Sequence, residues 1–422
     1  MDFVKEELEE IKKKGLYRSL RLIEGEQGPE VSFNGRRIVM LCSNNYLGLA
    51  NHPRVKEAAI EAVRKYGCGS GSSRLISGNM ELHQELERKI ASFKHAEAAL
   101  VFGSGYLCNL GVIDSLMGED DVILSDELNH ASIIDGARLS RARVKIYPHK
   151  DLNVLEKELK QLKGYRRKLV VTDGVFSMDG DIAPLPGIVE LAKKYKAMTM
   201  VDEAHATGVM GQNGRGCVEH FDLEGKVDIQ MGTLGKALGS LGAYVAGEKK
   251  LIDFLINRAR GFIYTTALPP PLCAAAITAI EIITQDRQLR NRLWENAKFL
   301  KEGLQKIELP VGNPETPIIP IVIGESSTTM RMCEILLQSG VYAQGIRPPT
   351  VPEGSSRIRT TVMATHNQEH LIKALEAFKA VRGGLIQGRA GSGRGEQEKQ
   401  GFEQFNPFIC LMGDFLWFQQ IS

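Results

Sequence analysis

Residues 233–242 read TLGKALGSLG, a stretch that sets one long cation, Lys236, among glycines and small apolar side chains. A lone Gly-Lys pair is usually a solvated loop, so its chemistry depends on what stands nearby. In VDEAH, 201–205, Asp202 closes an apolar strand and His205 follows three residues on. A carboxylate at a strand's carboxyl end projects into the ligand crevice of a parallel sheet, although the same aspartate could cap the next helix. The next apolar run, VDIQMG at 227–232, leads straight into Lys236. Lysine and aspartate therefore leave neighbouring strand ends and face one crevice. A third piece is FGSGY, 102–106, between a strand and the helical LCNLGVIDSL, where the amides of Gly105 and Tyr106 at a helix start can hold an anion.

Two nucleotide motifs are excluded. FGSGY does not complete G-x-G-x-x-G, and TLGKALG is no P-loop, because Ala237 follows the lysine where Ser or Thr should hold magnesium and Gln230 replaces the first glycine. A lysine and a buried aspartate facing one anion site is the set that pyridoxal 5'-phosphate needs. The lysine bonds the aldehyde, the carboxylate keeps the pyridine nitrogen protonated, and helix-start amides take the phosphate.

Positioning these groups takes a scaffold, and 422 residues allow two or three domains at ~150 residues each. With 43% hydrophobic and 25% charged residues and a net charge of +2, the composition is that of an ordinary soluble protein. So little net charge argues against a dedicated nucleic-acid binder, which carries a clustered basic face. The seven cysteines are scattered, with no C-x-x-C pair and no histidines at ligand spacing, so no metal site is expected and the thiols read as reduced. MDFVKEELEEIKKKG at the start is a short amphipathic helix ended by Gly15, without the apolar core of a signal peptide. No apolar run reaches the ~18 residues needed to span a bilayer. A cytoplasmic protein with no membrane partner is expected.

Short apolar runs alternate with helical patterns between Val39 and about Gln285. The candidate strands are AALVF before Gly103, DVILS (121–125), VKIYP (144–148), KLVVTD (168–173), MTMVDE (198–203), VDIQMG and GAYVAG (242–247). Segments such as NHPRVKEAAIEAVRKYG and IAPLPGIVELAKKYK, apolar at three- and four-residue spacing, supply the helices. This alternation predicts an α/β fold with a mostly parallel sheet of seven strands covered on both faces. Residues 1–39 are expected as an N-terminal helix and strand segment, 40–285 as the large domain and 286–382 as a smaller α+β domain. Residues 383–422, Gly- and charge-rich and then briefly apolar, read as a flexible appendage with no assigned job.

Seven motifs carry a resemblance to a known family. They are SNNYLGLANHP (43–53), GSGSSRLISG (69–78), LNHASIIDGARLS (128–140), TDGVFSMDGDIAPL (172–185), VDEAHATGVMGQNGRG (201–216), GTLGKALGSLGAYVAG (232–247) and RPPTVPEGSSRIR (347–359). In this order they resemble the α-oxoamine synthases, fold type I pyridoxal-phosphate enzymes that join an amino acid to an acyl thioester with loss of carbon dioxide. The resemblance runs from about Leu16 to Val381. It implies that Lys236 is the cofactor-bonding lysine and the base at the substrate's α-carbon, that Asp202 pairs with the ring nitrogen and that His130 stacks on the ring. Ser177 and His205 would bond the phenolic oxygen. Gly105, Tyr106 and Thr233 would hold the phosphate, with Thr265 or Thr266 reaching across from a second subunit. Arg359 would clamp the amino acid's carboxylate, and Arg21, Asn45, Ser73 and Thr350 are expected around the substrates. Singly, His130 could be a turn residue, Ser177 a turn cap and Arg359 a rim charge; together they favour the functional reading.

The resemblance also implies a homodimer with shared active sites and an acyl-CoA or acyl carrier protein substrate. IYTTALPP (263–270) and IRPPTVPEG (346–354) are similar to the members that use alanine and a pimeloyl thioester to make 8-amino-7-oxononanoate for biotin. The competing expectation is the glycine and acetyl-CoA ligase, a glycine C-acetyltransferase. An ordinary aminotransferase and a catalytically idle subunit are further alternatives, the last disfavoured by Lys236.

Overall fold

Each strand predicted above is an apolar run stopped by glycine, proline or a charged residue, and the computed structural model, which describes residues 2–390, forms them in that order. The chain begins with α1 (Asp2–Lys13), β1 (Glu30–Phe33), β2 (Arg36–Met40), α2 (Pro53–Tyr66) and α3 (Glu81–Phe93). It then alternates through β3 (Ala98–Phe102), α4 (Gly105–Leu116), β4 (Val122–Asp126), α5 (Ala131–Leu139), β5 (Arg143–Tyr147), α6 (Leu152–Gln161) and β6 (Lys168–Asp173). Next come α7 (Leu185–Lys194), β7 (Met198–Asp202), α8 (Cys217–His220), β8 (Ile229–Thr233) and β9 (Ala243–Gly247). The helices α9 (Lys249–Arg258), α10 (Arg260–Ile263), α11 (Pro270–Gln285) and α12 (Arg287–Lys306) lead into β10 (Ile318–Gly324) and α13 (Ser326–Gln338). Last are β11 (Val341–Tyr342), β12 (Gln344–Ile346), β13 (Ser356–Thr361) and α14 (Gln368–Ala390).

The large sheet has seven strands in the order β3-β9-β8-β7-β6-β4-β5. Strands β5, β4, β6, β7 and β8 are parallel and β9 runs against both its neighbours, as the mostly parallel expectation requires. Every residue of β4 is buried, and so is all of β6 after Lys168, because helices cover both faces. Leu100, Val112, Ile133, Val171, Met231 and Phe262 belong to one core that fastens the sheet to α4, α5 and α10. Register then sets the chemistry: Asp173 pairs with Asp202 across β6 and β7, and Asp202 pairs with Met231 across β7 and β8. The carboxyl ends of three strands thus come level.

Boundaries shift where a side chain does something besides pack. VDIQMG begins its strand only at Ile229, because the Asp228 carboxylate accepts bonds from the Thr199 amide and hydroxyl at 2.7 and 2.8 Å and clasps the neighbouring strand. The chain divides into a unit up to Val381 and a unit from Arg382. Within the expected segment 1–39, the strands β1 and β2 join the rest of this unit. Strand β2 carries β1 on one side and β11 on the other, and Ile38 and Met40 pack with Met363. The expected parts 40–285 and 286–382 fall in this first unit, apart from Arg382 itself. Helix α14 continues to Ala390 through Gly383 and Gly384, where a flexible stretch was expected to start, since glycine weakens a helix by about 1 kcal/mol but keeps its N–H. Positions 391–422 of the expected appendage lie outside the described residues.

A charged knot ties β4 to the loop after β6. His149 places Nδ1 3.0 Å from Asp126 and Nε2 2.9 Å from Asp181, and Lys150 reaches Asp181 at 2.8 Å. Burial opposes the charge on this imidazole, but the bonds to Asp126 and Asp181 prevail and push its pKa from 6.5 up to about 9. A raised folded-state value stabilises the fold fully below about pH 6.5, and that contribution is lost as pH climbs through about 9. Urea unfolding of the protein is therefore expected to show stability falling between pH 6.5 and 9.5, with a shallower fall in His149→Asn. Equal slopes would contradict the assignment.

Candidate active site

The turn carrying Lys236 is closed by its own backbone. Leu234 donates to Gly242 at 2.9 Å, Ser240 to Leu234 at 2.9 Å and Gly239 to Lys236 at 3.0 Å. The Thr233 hydroxyl donates to the Gly242 carbonyl at 3.1 Å and accepts from the Gly235 amide at 3.2 Å. Gly239 sits at φ 64° with its absent Cβ only 2.2 Å from the Ala50 nitrogen, so no other residue fits without moving a backbone. This loop aims Lys236 Nζ at His205 Nε2, 2.7 Å away. Burial, which outweighs the attraction of Asp202 and Asp173, lowers the lysine's pKa to about 8. About a tenth of it is then the neutral amine at pH 7, far more than for an ordinary lysine, and the neutral amine is the form that acts as nucleophile or base.

Asp202 is buried with both oxygens engaged. Oδ1 accepts from the Ala204 amide at 2.9 Å and Oδ2 from Asn109 Nδ2 at 2.8 Å. The first bond is the local turn that its strand-end position allows; the second comes from α4. Asn109 Nδ2 also donates to Ser132 Oγ at 2.9 Å, and Ser132 Oγ lies 2.8 Å from His130 Nδ1. The Ser132 amide points at the same Nδ1 from 3.3 Å, so that nitrogen is an acceptor and the neutral ring carries its proton on Nε2. His130 keeps solvent contact, yet the protein around it lowers its pKa through burial, with Lys236 adding to the effect. Asp173 receives the His130 backbone amide at 2.7 Å. Burial first, and then the charge of Asp202, raise its pKa well above the usual carboxylate range. His205 is driven the other way, well below 6.5, by burial and by Lys236 and Arg359.

Gly105 and Tyr106 take the first two positions of α4, where amides have no intrahelical acceptor, while the Ser104 hydroxyl caps the Leu107 amide at 3.2 Å. A Cβ on Gly105 would lie 3.2 Å from Met231, so this helix start abuts β8 just before Thr233. Arg359, buried on β13, donates through Nε to the Ser177 carbonyl and through Nη2 to Asn44 Oδ1 at 3.1 Å. Ser177 is thereby set beside Arg359 by its backbone. Asn45 uses Oδ1 to accept the Ala50 amide at 3.2 Å, and its buried Nδ2 has no protein partner.

Other expected residues stand elsewhere in the single chain. Thr265 and Thr266 line a small cavity with Arg74, His83 and Phe102. Arg21 and Thr350 line a separate cavity of about 590 Å³ with Arg18, Tyr342 and Arg347. The Ser73 carbonyl accepts the Gly78 and Ile76 amides within its own loop. Sequence reasoning missed Tyr46, Asn44, Asn109 and Asp173. Asp173 had a readable signal, since it closes KLVVTD as Asp202 closes its own strand, and Asn109 is the polar residue amid the apolar start of LCNLGVIDSL.

The donor set fits pyridoxal 5'-phosphate: an amine of lowered pKa, a buried carboxylate on an adjacent strand end, and helix-start amides for a phosphate. The model of the aminotransferase class I and II family matches residues 36–378. The chain is 54% identical over 382 residues to an 8-amino-7-oxononanoate synthase of Thermoanaerobacter pseudethanolicus, covering 90% of this chain and 97% of that one. A relative of the same description from Geobacter sulfurreducens is 52% identical over 377 residues, covering 89% and 96%. Among solved structures, a serine palmitoyltransferase from S. paucimobilis with a bound PLP-myriocin aldimine aligns with TM-score 0.87 and 33% identity over 92% of this chain and 98% of that one. An 8-amino-7-oxononanoate synthase from Francisella tularensis aligns with TM-score 0.72 and 29% identity, covering 83% and 99%.

Because a Cβ at position 239 must displace the Ala50 backbone or the turn itself, Gly239→Ala is expected to keep its circular dichroism spectrum while cofactor uptake slows at least tenfold. Uptake at the wild-type rate would show that the turn does not depend on this glycine.

Proposed function

The chain belongs to the class I and II aminotransferase family and, within it, to the α-oxoamine synthases, and from that premise we propose that it condenses L-alanine with a pimeloyl thioester to 8-amino-7-oxononanoate, releasing carbon dioxide and a thiol. One observation supports the chemistry most directly: the half-buried Lys236, its amine 2.7 Å from His205, among Asp202, Asp173 and Arg359. When bound, pyridoxal 5'-phosphate supplies an aldehyde that bonds amines and a ring that accepts the electron pair left at an α-carbon. In this reading residues 40–285 carry the cofactor and 286–382 supply Arg359 and Thr350. Gly105, Tyr106 and Thr233 hold the phosphate, joined by Thr265 or Thr266 of a second subunit. Asp202 holds the ring nitrogen's proton, His130 lies on the ring face, and Ser177 and His205 meet the phenolic oxygen.

Lys236 Nζ takes the proton from the α-carbon of alanine and returns one to the product, tasks suited to an amine whose pKa is lowered to about 8. Arg359 grips the carboxylate with a planar fork that turns the α-hydrogen toward the lysine. Asp202 and His205 are themselves buried, so their hydrogen bonds are made out of reach of bulk water. Arg21, Asn45, Ser73 and Thr350 belong to the substrate-binding residues in this reading, and the acyl chain arrives on coenzyme A or a carrier protein. A homodimer is part of this proposal, supported by large apolar side chains left open in the single chain, among them Ile76 and Tyr264 at 81% and 72% exposure. No helix among the described residues is long and apolar enough to cross a membrane; a cytoplasmic location is part of this proposal.

Thiol release by the cofactor-loaded protein is expected with L-alanine and pimeloyl-CoA in preference to glycine and acetyl-CoA; the reverse preference would move the enzyme to the glycine-using branch. Lys236→Ala should abolish release with the fold intact. Arg359→Ala should raise KM for alanine by roughly 10–100-fold, the loss of a charged hydrogen bond worth about 1.5–3 kcal/mol.

A further inference from the structure

Tyr46 is a fully buried side chain that the assigned chemistry leaves unused. Its backbone is tied on both sides, the amide to the Asn44 carbonyl at 2.8 Å and the carbonyl to the Ala364 amide at 2.7 Å. The hydroxyl lies 2.8 Å from His205 Nδ1, with the two rings edge to face. Arg359 Nη2 approaches the same hydroxyl at 3.4 Å.

The direction of these bonds follows from the groups themselves. A guanidinium only donates, so Arg359 occupies an oxygen lone pair of Tyr46. Leaving the buried O–H without an acceptor would cost the desolvation of a hydroxyl, so the phenol donates to Nδ1. Nδ1 being an acceptor, the neutral imidazole carries its proton on Nε2, the atom 2.7 Å from Lys236 Nζ. That N–H can only meet a lone pair, and an ammonium has none. Protonating the lysine therefore requires His205 to change tautomer and Tyr46 to abandon its donor role.

We propose that Tyr46 is a positioning residue that fixes the proton of His205 on Nε2 and thereby biases Lys236 toward the neutral amine, the form that bonds an aldehyde. The inference rests on the functional reading above, because it concerns the lysine's reactivity. The charged and titratable groups facing the pair are Asp202 from β7, Asp173 from β6, His130 ahead of α5 and Arg359 from β13. Asp202 and Asp173 favour the ammonium and Arg359 opposes it. Tyr46 adds a directional hydrogen bond to that balance.

Only the neutral amine condenses with an aldehyde, so the rate at which the full chain, stripped of cofactor, captures pyridoxal 5'-phosphate reports the state of Lys236 across pH. Absorbance of the protein-bound adduct is followed from pH 6 to 10 with Lys236→Ala as the blank. Wild type is expected to give a midpoint near about 8. Tyr46→Phe, free to switch tautomer and accept from an ammonium, should move it up by about 0.5–1 pH unit with the same final amplitude. If Tyr46→Phe does not fold, 3-fluorotyrosine at position 46 decides. Its more acidic hydroxyl donates more strongly and should move the midpoint down. Unmoved midpoints overturn the proposal while leaving the functional reading in place; a wild-type chain that forms no adduct overturns both.

Discussion

An amine partly withdrawn from water among carboxylates is the constraint around which this molecule is built. Desolvation pushes Lys236 toward neutrality while Asp202 and Asp173 pull the other way, and the outcome depends on how close the carboxylates stand to the amine. A parallel sheet is suited to that task, since adjacent strands end level and present their last side chains to one crevice. The pairing of Asp173 with Asp202, and of Asp202 with Met231 just before Thr233, is the structural form of that statement.

Buried charge must be met by hydrogen bonds or it destabilises the fold. Here each carboxylate has fixed donors. Asp202 takes Ala204 and Asn109, Asp173 takes the His130 amide, and Glu203 takes the Cys217 and Val218 amides at 2.8 and 2.9 Å. Behind Glu203 stands Lys94, itself buried, 3.8 Å away. This second layer holds the turn that carries His205 without touching the crevice.

Two hydrogen-bond chains approach the site from opposite directions. One runs from Asn109 through Ser132 to His130, and the other from Arg359 through Tyr46 to His205. In each, a hydroxyl donates to Nδ1 and leaves Nε2 to carry the proton. Both histidines are driven toward neutrality by burial, so each chain sets where the single proton sits. Side chains behind the two histidines thereby decide what each ring offers a ligand.

Lys236, Asp202 and His205 were legible in the amino-acid sequence because each belongs to a short contiguous motif at the end of an apolar strand, and strand-helix alternation was enough to predict the mostly parallel seven-stranded sheet. Local periodicity and glycine placement act over a few residues, which a sequence displays directly. Tyr46 and Asn109 were not legible as partners, because Tyr46 bonds a residue 159 positions away and Asn109 one 93 positions away. The pairing of β2 with β11 escaped for the same reason. By itself the sequence determined the order of elements and the residue types at the strand ends. Only the tertiary structure decided which side chains meet there and which ring nitrogen accepts, because hydrogen-bond direction depends on register and orientation between segments that no local pattern relates.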